Sequence, residues 1–166
     1  MNIFKLDESP FLAATYHIDA HVNKMITEYA QILSTAQNEC EGPSAGKVYK
    51  SFNPNHPSCK WVMEGYDNYV WLHNLWSALA RERRYRWNKT HASYEKLSGA
   101  LSVPPNLPEG STPLRLAMPS QYWRESPVEA YRLYYVSDKQ YDSNGKWMFK
   151  WTRRGQPSWV LREDIR

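Results

Sequence analysis

Apolar residues recur every three or four positions along two long stretches of the chain, a spacing typical of helices that bury one face. The first stretch begins at Ser9-Pro10, where serine suits an N-cap and proline suits the first helical position, and it predicts a helix over 10–38. The second predicts a helix from Pro57 into the basic run at 81–89. Its apolar stripe consists of Val62, Tyr66, Tyr69, Leu72, Trp76 and Leu79.

Shorter signals predict two more helices. One covers 90–101 and stops before the proline-rich stretch at 103–110, which favours an extended loop. Another begins at Ser126-Pro127-Val128-Glu129, a capping box with proline at the first helical position, and runs to about Asp138. Helices therefore dominate the predicted structure.

The C-terminal part is the least regular in pattern. Asp142-Ser143-Asn144-Gly145 predicts a turn, and the stretch 146–152 fits either a strand or a packed irregular tail. No internal repeat or long linker divides the chain. We predict a mostly all-α fold, with residues 1–166 forming a single compact domain of about four helices, long loops and an irregular aromatic C-terminal tail.

Composition agrees with a self-sufficient globular domain. The chain has 166 residues, of which 42% are hydrophobic and 23% charged, so it can bury a core without metals or disulfides. It has neither an apolar leader at its start nor an apolar run long enough for a membrane span, so we predict a cytoplasmic protein with no membrane partner. In that compartment Cys40 and Cys59 are expected to be two thiols, the alternative being one disulfide.

Charge and aromatic residues are distributed unevenly. The first 45 residues carry two lysines against six carboxylates, whereas 81–89 carries five cations against one glutamate, and the tail 146–166 is again basic and aromatic. Cations interleaved with aromatic rings suit a polyanion with flat bases, which predicts DNA as a partner; the alternative is a solvated helix end and a packed tail. The predicted DNA-binding residues are Arg81, Arg83, Arg84, Arg86, Trp87, Lys89, His91, Arg153 and Arg154.

A row of polar residues follows one side of the first predicted helix. On a helical wheel that advances about 100° per residue, Lys24 and Glu28 point within about 20° of His17. His21 and Gln31 point about 40° to either side of that direction. The row comprises His17, His21, Lys24, Glu28 and Gln31, and it adjoins the apolar face rather than the ordinary polar face. It supplies an acid, a base and a cation and predicts a catalytic site, the alternative being an ion-paired surface stripe.

A metal site is a weaker interpretation of the same helix. His17-x-Asp19-x-His21 has the composition of a metal motif, but on one continuous helix Asp19 points away from both histidines. A metal would then need a further ligand such as His56, His91 or a carboxylate. We predict no metal and no cofactor.

Five segments resemble a family of small bacteriophage-encoded proteins across nearly the whole chain. They are Met1-Asn2-Ile3-Phe4-x-Leu6-Asp7, His17-x-Asp19-x-His21-Val22-x-Lys24-Met25, Asn55-His56-Pro57-Ser58-x-x-Trp61, Ala117-Met118-Pro119 and Glu129-Ala130-Tyr131-Arg132-x-Tyr134-Tyr135. The resemblance implies a phage origin and the cytoplasm of the infected bacterium as the location.

The spacing of His21 and Glu28 is similar to a His-x6-Glu helix of pyrimidine-dimer DNA glycosylases of the endonuclease V type. A later histidine before a long aromatic helix and a tyrosine-rich C-terminal part are also similar. The resemblance implies that the amine of Met1 attacks the deoxyribose to form a Schiff base, with Glu28 as acid or base and His21 beside it. Asn2 is too bulky for efficient removal of Met1. Thr27 and Gln31 stand where those enzymes have arginines.

The sequence therefore predicts a phage enzyme that acts on DNA bases, by excision or by modification. Gln31, His56 and Trp61 are expected to line the pocket, and Trp61 or Trp87 to stack on a flipped base. For His56 a capping role at a helix N-terminus is an equally good interpretation. The alternative function is a non-catalytic phage protein that binds a host protein or a small nucleotide signal through its aromatic surface.

Overall fold

The computed structural model describes residues 1–43 and 47–164, and the last two residues of the basic tail lie outside these ranges. Six α-helices and two short 3-10 turns make up the regular structure of the described residues, with no strand, so the predicted all-α fold is confirmed. The helices are α1 (Pro10–Tyr16), α2 (Asp19–Glu41), α3 (Pro57–Met63), α4 (Tyr66–Trp87), α5 (Ala92–Leu101) and α6 (Pro127–Asp138). The 3-10 turns are Ser120–Tyr122 and Arg162–Asp164.

The predicted helix over 10–38 is in fact two helices, because the chain is extended at His17 and Ile18. The N–H of Ile18 leaves the helical pattern and donates to the hydroxyl of Tyr135 at 3.0 Å. The N–H of Asp19 donates to the carbonyl of Lys150 at 2.8 Å. Both partners are far away in sequence, so no local signal marks this break.

The second predicted helix is also divided, at Gly65. This glycine is extended, and a Cβ atom there would lie 2.5 Å from the carbonyl oxygen of Gly110. The loop around Gly110 supplies carbonyl acceptors to the first N–H groups of α4, at 2.7 Å for Tyr66 and 3.1 Å for Asp67. The loop thus caps α4 and occupies the space that a longer helix would need.

Local start signals were predicted correctly. The side chains of Ser9, His56 and Ser126 each accept a backbone N–H at the start of α1, α3 and α6 respectively. The turn at 142–145 is present, and beyond it the described tail is irregular apart from one antiparallel bridge between Tyr141 and Trp147 and the 3-10 turn Arg162–Asp164. The tail interpretation is therefore correct for 146–152, and the strand interpretation is wrong.

One hydrophobic core connects the N-terminal segment, the helices and the tail. Much of the aromatic content lies there, since Trp76, Tyr29, Tyr69, Tyr131 and Tyr135 are fully buried. Tyr66, in contrast, is 46% exposed and does not belong to the core stripe predicted for the second helix. None of the helices in the described ranges is long and apolar enough to cross a bilayer.

Candidate functional site

The N-terminal segment is held in the core by hydrogen bonds along its length. The Asn2 side chain donates to the carbonyl of Ala117 at 2.8 Å and accepts from the hydroxyl of Tyr131 at 2.6 Å. Further on, Phe4 N–H donates to the Tyr29 hydroxyl at 3.1 Å, and Arg132 donates to the Leu6 carbonyl at 2.8 Å. The segments around Ala117 and Tyr131 therefore both contact the N-terminal segment.

This anchoring brings the α-amine of Met1 to the middle of α2. The Met1 nitrogen lies 4.0 Å from Oε2 of Glu28, and Nζ of Lys24 lies 3.4 Å from Oε1 of the same carboxylate. The Glu28 side chain is 19% exposed and that of Lys24 is 67% exposed. Two amines and one carboxylate are thus grouped at a half-buried position that solvent can still reach.

His56 approaches the same group from α3. Its Nδ1 accepts the N–H of Ser58 at 3.1 Å, which directs Nε2 away from the helix. Burial lowers the pKa of His56, the positive Met1 amine lowers it further, and Glu28 opposes both effects. Capping and a place beside the candidate site, the two interpretations of His56, are therefore compatible.

His21 lies one turn before Lys24 on α2 and is packed on both sides. Its ring stacks on Phe4 with centroids 4.7 Å apart, and its Nδ1 lies 2.8 Å from the hydroxyl of Tyr135. That hydroxyl accepts the Ile18 N–H, and Nδ1 is the one acceptor among the described residues within hydrogen-bond distance of its own proton. The hydroxyl therefore donates to Nδ1, and the neutral imidazole has its hydrogen on Nε2. Burial, with positive charge nearby, lowers the pKa of His21 to about 3.

A cavity of about 430 Å³ opens beside His21 between α2 and the end of α6, and we name it the α2–α6 cavity. Its polar lining residues are His21, Lys24, Asp138, Lys139, Asp142 and Ser143, and Ala20, Tyr141 and Met148 complete the wall. Because Lys24 both lines this cavity and pairs with Glu28, the two parts of the site adjoin.

His17 does not belong to this site, contrary to the sequence prediction. It is fully buried at the end of α1, donates from Nδ1 to the Ala13 carbonyl at 2.6 Å, and accepts at Nε2 from the Tyr29 hydroxyl at 3.0 Å. Burial lowers its pKa to about 4. The sequence prediction placed His17 in the polar row by assuming one continuous helix, whereas the chain is extended at His17 and Ile18 and the side chain points elsewhere.

Arg86 is also misassigned, since it is an internal anchor rather than a DNA contact. It is 3% exposed, and its guanidinium donates to the carboxylates of Glu82 and Asp19 at 2.8 and 3.0 Å and to the carbonyls of His17 and Thr15 at 2.9 and 3.0 Å. The side chain is fully buried, so its guanidinium cannot reach a phosphate outside the protein. Its sequence environment, a basic run, gave no hint of this burial.

Of the other cations in 81–89 that were predicted to bind DNA, some are exposed and one is bonded to another side chain. Arg84 and Lys89 are exposed, and Arg81 is exposed with its guanidinium 5.8 Å from the ring centre of Phe11. Arg83 is half-buried and donates to the side chain of Asn23, on a face of α2 about 160° from His21.

The tail cations lie next to the end of α4. Arg154 makes a two-bond ion pair with Glu82 at 2.8 and 2.9 Å and covers the ring of Tyr85 at 4.2 Å. Burial would raise the pKa of Glu82, but the hydrogen bonds from Arg154 and Arg86 hold it below its usual value. Arg153 is exposed, its guanidinium donates to the Tyr85 carbonyl at 3.2 Å, and its own carbonyl accepts from the Tyr85 hydroxyl at 3.3 Å.

The residues predicted to line the pocket or to contact DNA bases differ in their surroundings. Trp61 is 2% exposed and donates to the Thr112 carbonyl at 2.9 Å, so it cannot stack on a flipped base. Trp87 is half-buried against the core, and His91 caps α5 by accepting the Ser93 N–H at 3.2 Å. Gln31 is half-buried one turn after Glu28, and only its position on that row agrees with the prediction.

Asp19, the central residue of the His-x-Asp-x-His motif, has a structural role. This carboxylate accepts from Thr152 N–H at 2.8 Å and Thr152 Oγ1 at 2.6 Å, besides Arg86. It thereby fixes the tail to the start of α2. Within residues 1–43 and 47–164, no group of three or more His, Cys, Asp or Glu side chains is arranged to hold a metal ion.

Sequence reasoning missed the groups that orient the site. Tyr135 sets the tautomer of His21, and Lys139 faces the cavity from the end of α6. Both lie more than 100 residues from His21, and only the tyrosine-rich segment after Glu129 could have pointed to one of them.

Comparisons of the chain with models of protein families, with curated proteins and with solved structures found no match.

Proposed function

We propose that this protein is a phage enzyme that acts on DNA bases and excises them through the α-amine of Met1. The observation that carries the proposal is the pairing of that amine with Glu28 at 4.0 Å, at the end of a segment bonded into the core. First residues are usually poorly ordered unless tied down. An amine placed beside a carboxylate in this way suits covalent catalysis with an attached acid or base.

The reaction would proceed as a displacement at the deoxyribose. Water first takes one proton from the Met1 ammonium, which leaves a free amine. The amine nitrogen then bonds to C1′ as the bond from C1′ to the base breaks, and the base leaves with that electron pair and takes up a proton from water. Glu28 removes a proton from the attached nitrogen and returns it to O4′ as the C1′–O4′ bond opens. A Schiff base then joins C1′ to Met1, and water can release it.

Exposed cations near the N-terminal end of α2 support the choice of DNA as substrate. The tail crosses this end of the helix, where Asp19 bonds to Lys150 and Thr152, and it leads to the exposed Arg153. Arg84 and Lys89 lie at the adjoining end of α4. These cations would bind backbone phosphates, and each contact would make affinity depend on salt.

Borohydride trapping tests the excision mechanism. We expect wild-type protein, incubated with duplexes carrying damaged or modified bases, to form a covalent adduct that maps to the tryptic peptide 1–5. Glu28→Gln should slow adduct formation by about 10²-fold or more, the usual contribution of a positioned acid or base. Glu39→Gln is the matched control, because Glu39 is an exposed carboxylate on the same helix.

Two further outcomes decide the role of Met1. Protein with one residue added before Met1 should lose trapping while keeping its helical circular dichroism, since the amine would move from Glu28. An adduct on Lys24 would contradict the assignment to Met1. Absence of any adduct, together with unchanged activity of Glu28→Gln, would exclude the mechanism.

A non-catalytic binding function is the second candidate, and exposed aromatic side chains favour it. Phe11, Phe52 and Trp123 are each more than half exposed. Under this function Trp123→Ala should abolish binding of a host protein or small nucleotide, whereas Glu28→Ala and His21→Ala should leave it intact. Binding to DNA that weakens steeply with salt would instead favour the enzyme.

A further inference from the structure

We propose that the α2–α6 cavity binds a phosphate group through His21, Lys24 and Lys139. The cavity has about 430 Å³, within the range of about 300–1,000 Å³ found for small-molecule sites, so the phosphate would enter as part of a nucleotide or a DNA strand. Its assignment to DNA rests on the function proposed above, whereas phosphate binding itself does not.

His21 is held as a hydrogen-bond donor. The Tyr135 hydroxyl accepts the Ile18 N–H and gives its proton to Nδ1, so the imidazole remains an Nε2–H donor. In the described part of the chain nothing accepts from Nε2, although the ring lines the cavity. Stacking on Phe4 fixes the direction of this donor.

Two lysines supply the positive charge. Lys24 and Lys139 both line the cavity, and both lie near enough to His21 that their charges lower its pKa, after burial and the neighbouring His17. The Lys139 ammonium lies 4.6 Å from the ring centre of Tyr134, a contact that leaves its N–H groups able to donate. Charge-assisted hydrogen bonds to phosphate are stronger than neutral ones.

Two carboxylates also belong to the wall of the cavity. Oδ1 of Asp142 accepts the N–H groups of Asn144 and Lys146, both at 2.9 Å, and so belongs to the turn. Asp138 is exposed at the last position of α6. The cavity therefore presents two ammonium groups and the His21 ring beside one carboxylate that is bonded into the turn and one that is exposed to solvent.

The distance to the reacting group suits a phosphate of the same strand. His21 and Glu28 are seven residues apart, about 10 Å along α2. This is about three nucleotide steps of a B-form strand, so the phosphate would lie a few nucleotides from the attacked sugar. The cavity would fix the strand while Met1 and Glu28 act on it.

Titration with three nucleoside probes tests this site. Thymidine 5′-monophosphate carries a terminal phosphate, the dinucleotide TpT carries an internal phosphodiester, and thymidine carries none. We expect calorimetry to detect one or both phosphate compounds, with shifts of the His21 ring signals in NMR spectra, and binding of thymidine at least about tenfold weaker. Preference for TpT identifies a DNA backbone phosphate, and preference for the monophosphate identifies a free nucleotide.

Variants of Lys139 complete the test. Lys139→Gln should weaken binding of the preferred probe about tenfold or more, and Lys139→Arg should restore it to within about threefold. Lys146→Gln is the matched control, because Lys146 is an exposed lysine in the following turn outside the cavity.

Three results would overturn the inference: thymidine binding as tightly as both phosphate probes, no binding of either phosphate probe, or unchanged binding by Lys139→Gln. Failure of borohydride trapping with normal probe binding would refute only the excision mechanism.

Discussion

Acid should destabilise this protein at a pH where its carboxylates are still charged, because two histidines are buried in neutral form. Burial lowers the pKa of His17 to about 4 and that of His21 to about 3, from an ordinary value near 6.5. Between pH 6.5 and 4 these two histidines are therefore protonated in the unfolded chain and neutral in the folded chain. The free energy of unfolding consequently falls as pH falls through this window.

The expected size follows from the width of the window. Each histidine costs about 1.4 kcal/mol per pH unit once the unfolded form is protonated, so lowering pH from 6.5 to 5 costs about 2 kcal/mol for each. Together, His17 and His21 should lower the free energy of unfolding by about 4 kcal/mol between pH 6.5 and 5, which is a large part of the stability of an ordinary domain. Glu82, whose pKa is lowered, adds its own loss only below its ordinary value of 4.5.

Urea unfolding of wild type and His21→Gln at pH 7.5 and pH 5.0 measures this effect. The variant should lose about 2 kcal/mol less than wild type between the two pH values, since it lacks one of the two groups. His91→Gln is the matched control, because His91 is a half-exposed cap whose loss should alter the pH dependence less. Equal pH dependence in wild type and His21→Gln would refute the reasoning.

Three other predictions concern anchors and surface cations. Arg86→Ala should lower the free energy of unfolding by about 3–5 kcal/mol in urea denaturation, because Glu82 and two carbonyls lose a buried partner; a loss below about 1 kcal/mol would contradict the anchoring role. Asn2→Ala should lower the free energy of unfolding by about 1–3 kcal/mol, because the side-chain hydrogen bonds to Ala117 and Tyr131 are lost. Borohydride trapping should also fall under conditions where the variant is still folded, because the residue next to the Met1 amine is no longer anchored. Normal trapping would show that this anchor is dispensable. Arg84→Gln should change stability by less than about 0.5 kcal/mol and reduce the slope of log affinity for DNA against log salt by about one, and an unchanged slope would remove Arg84 from the DNA interface.

Local signals in the sequence determined where the helices begin. Ser9-Pro10 and Ser126-Pro127 each combine a side-chain cap with a proline whose lost N–H does not matter, and both start helices as predicted. The pairing of Met1 with Glu28 was also expected from the sequence, through the resemblance of the first helix to the glycosylases. The structure places the two groups 4.0 Å apart, and the chemistry remains a proposal.

Only the tertiary structure decided where helices are interrupted and which polar residues are buried. The break at Ile18 depends on a hydroxyl 117 residues away, and it moved His17 out of the predicted row and into the core. Arg86 looks like its exposed neighbours in the sequence, but the carboxylates and carbonyls that surround it come from four separate positions. Capping depends on adjacent residues, whereas burial and partner choice depend on the packing of distant segments, which a helical pattern does not encode.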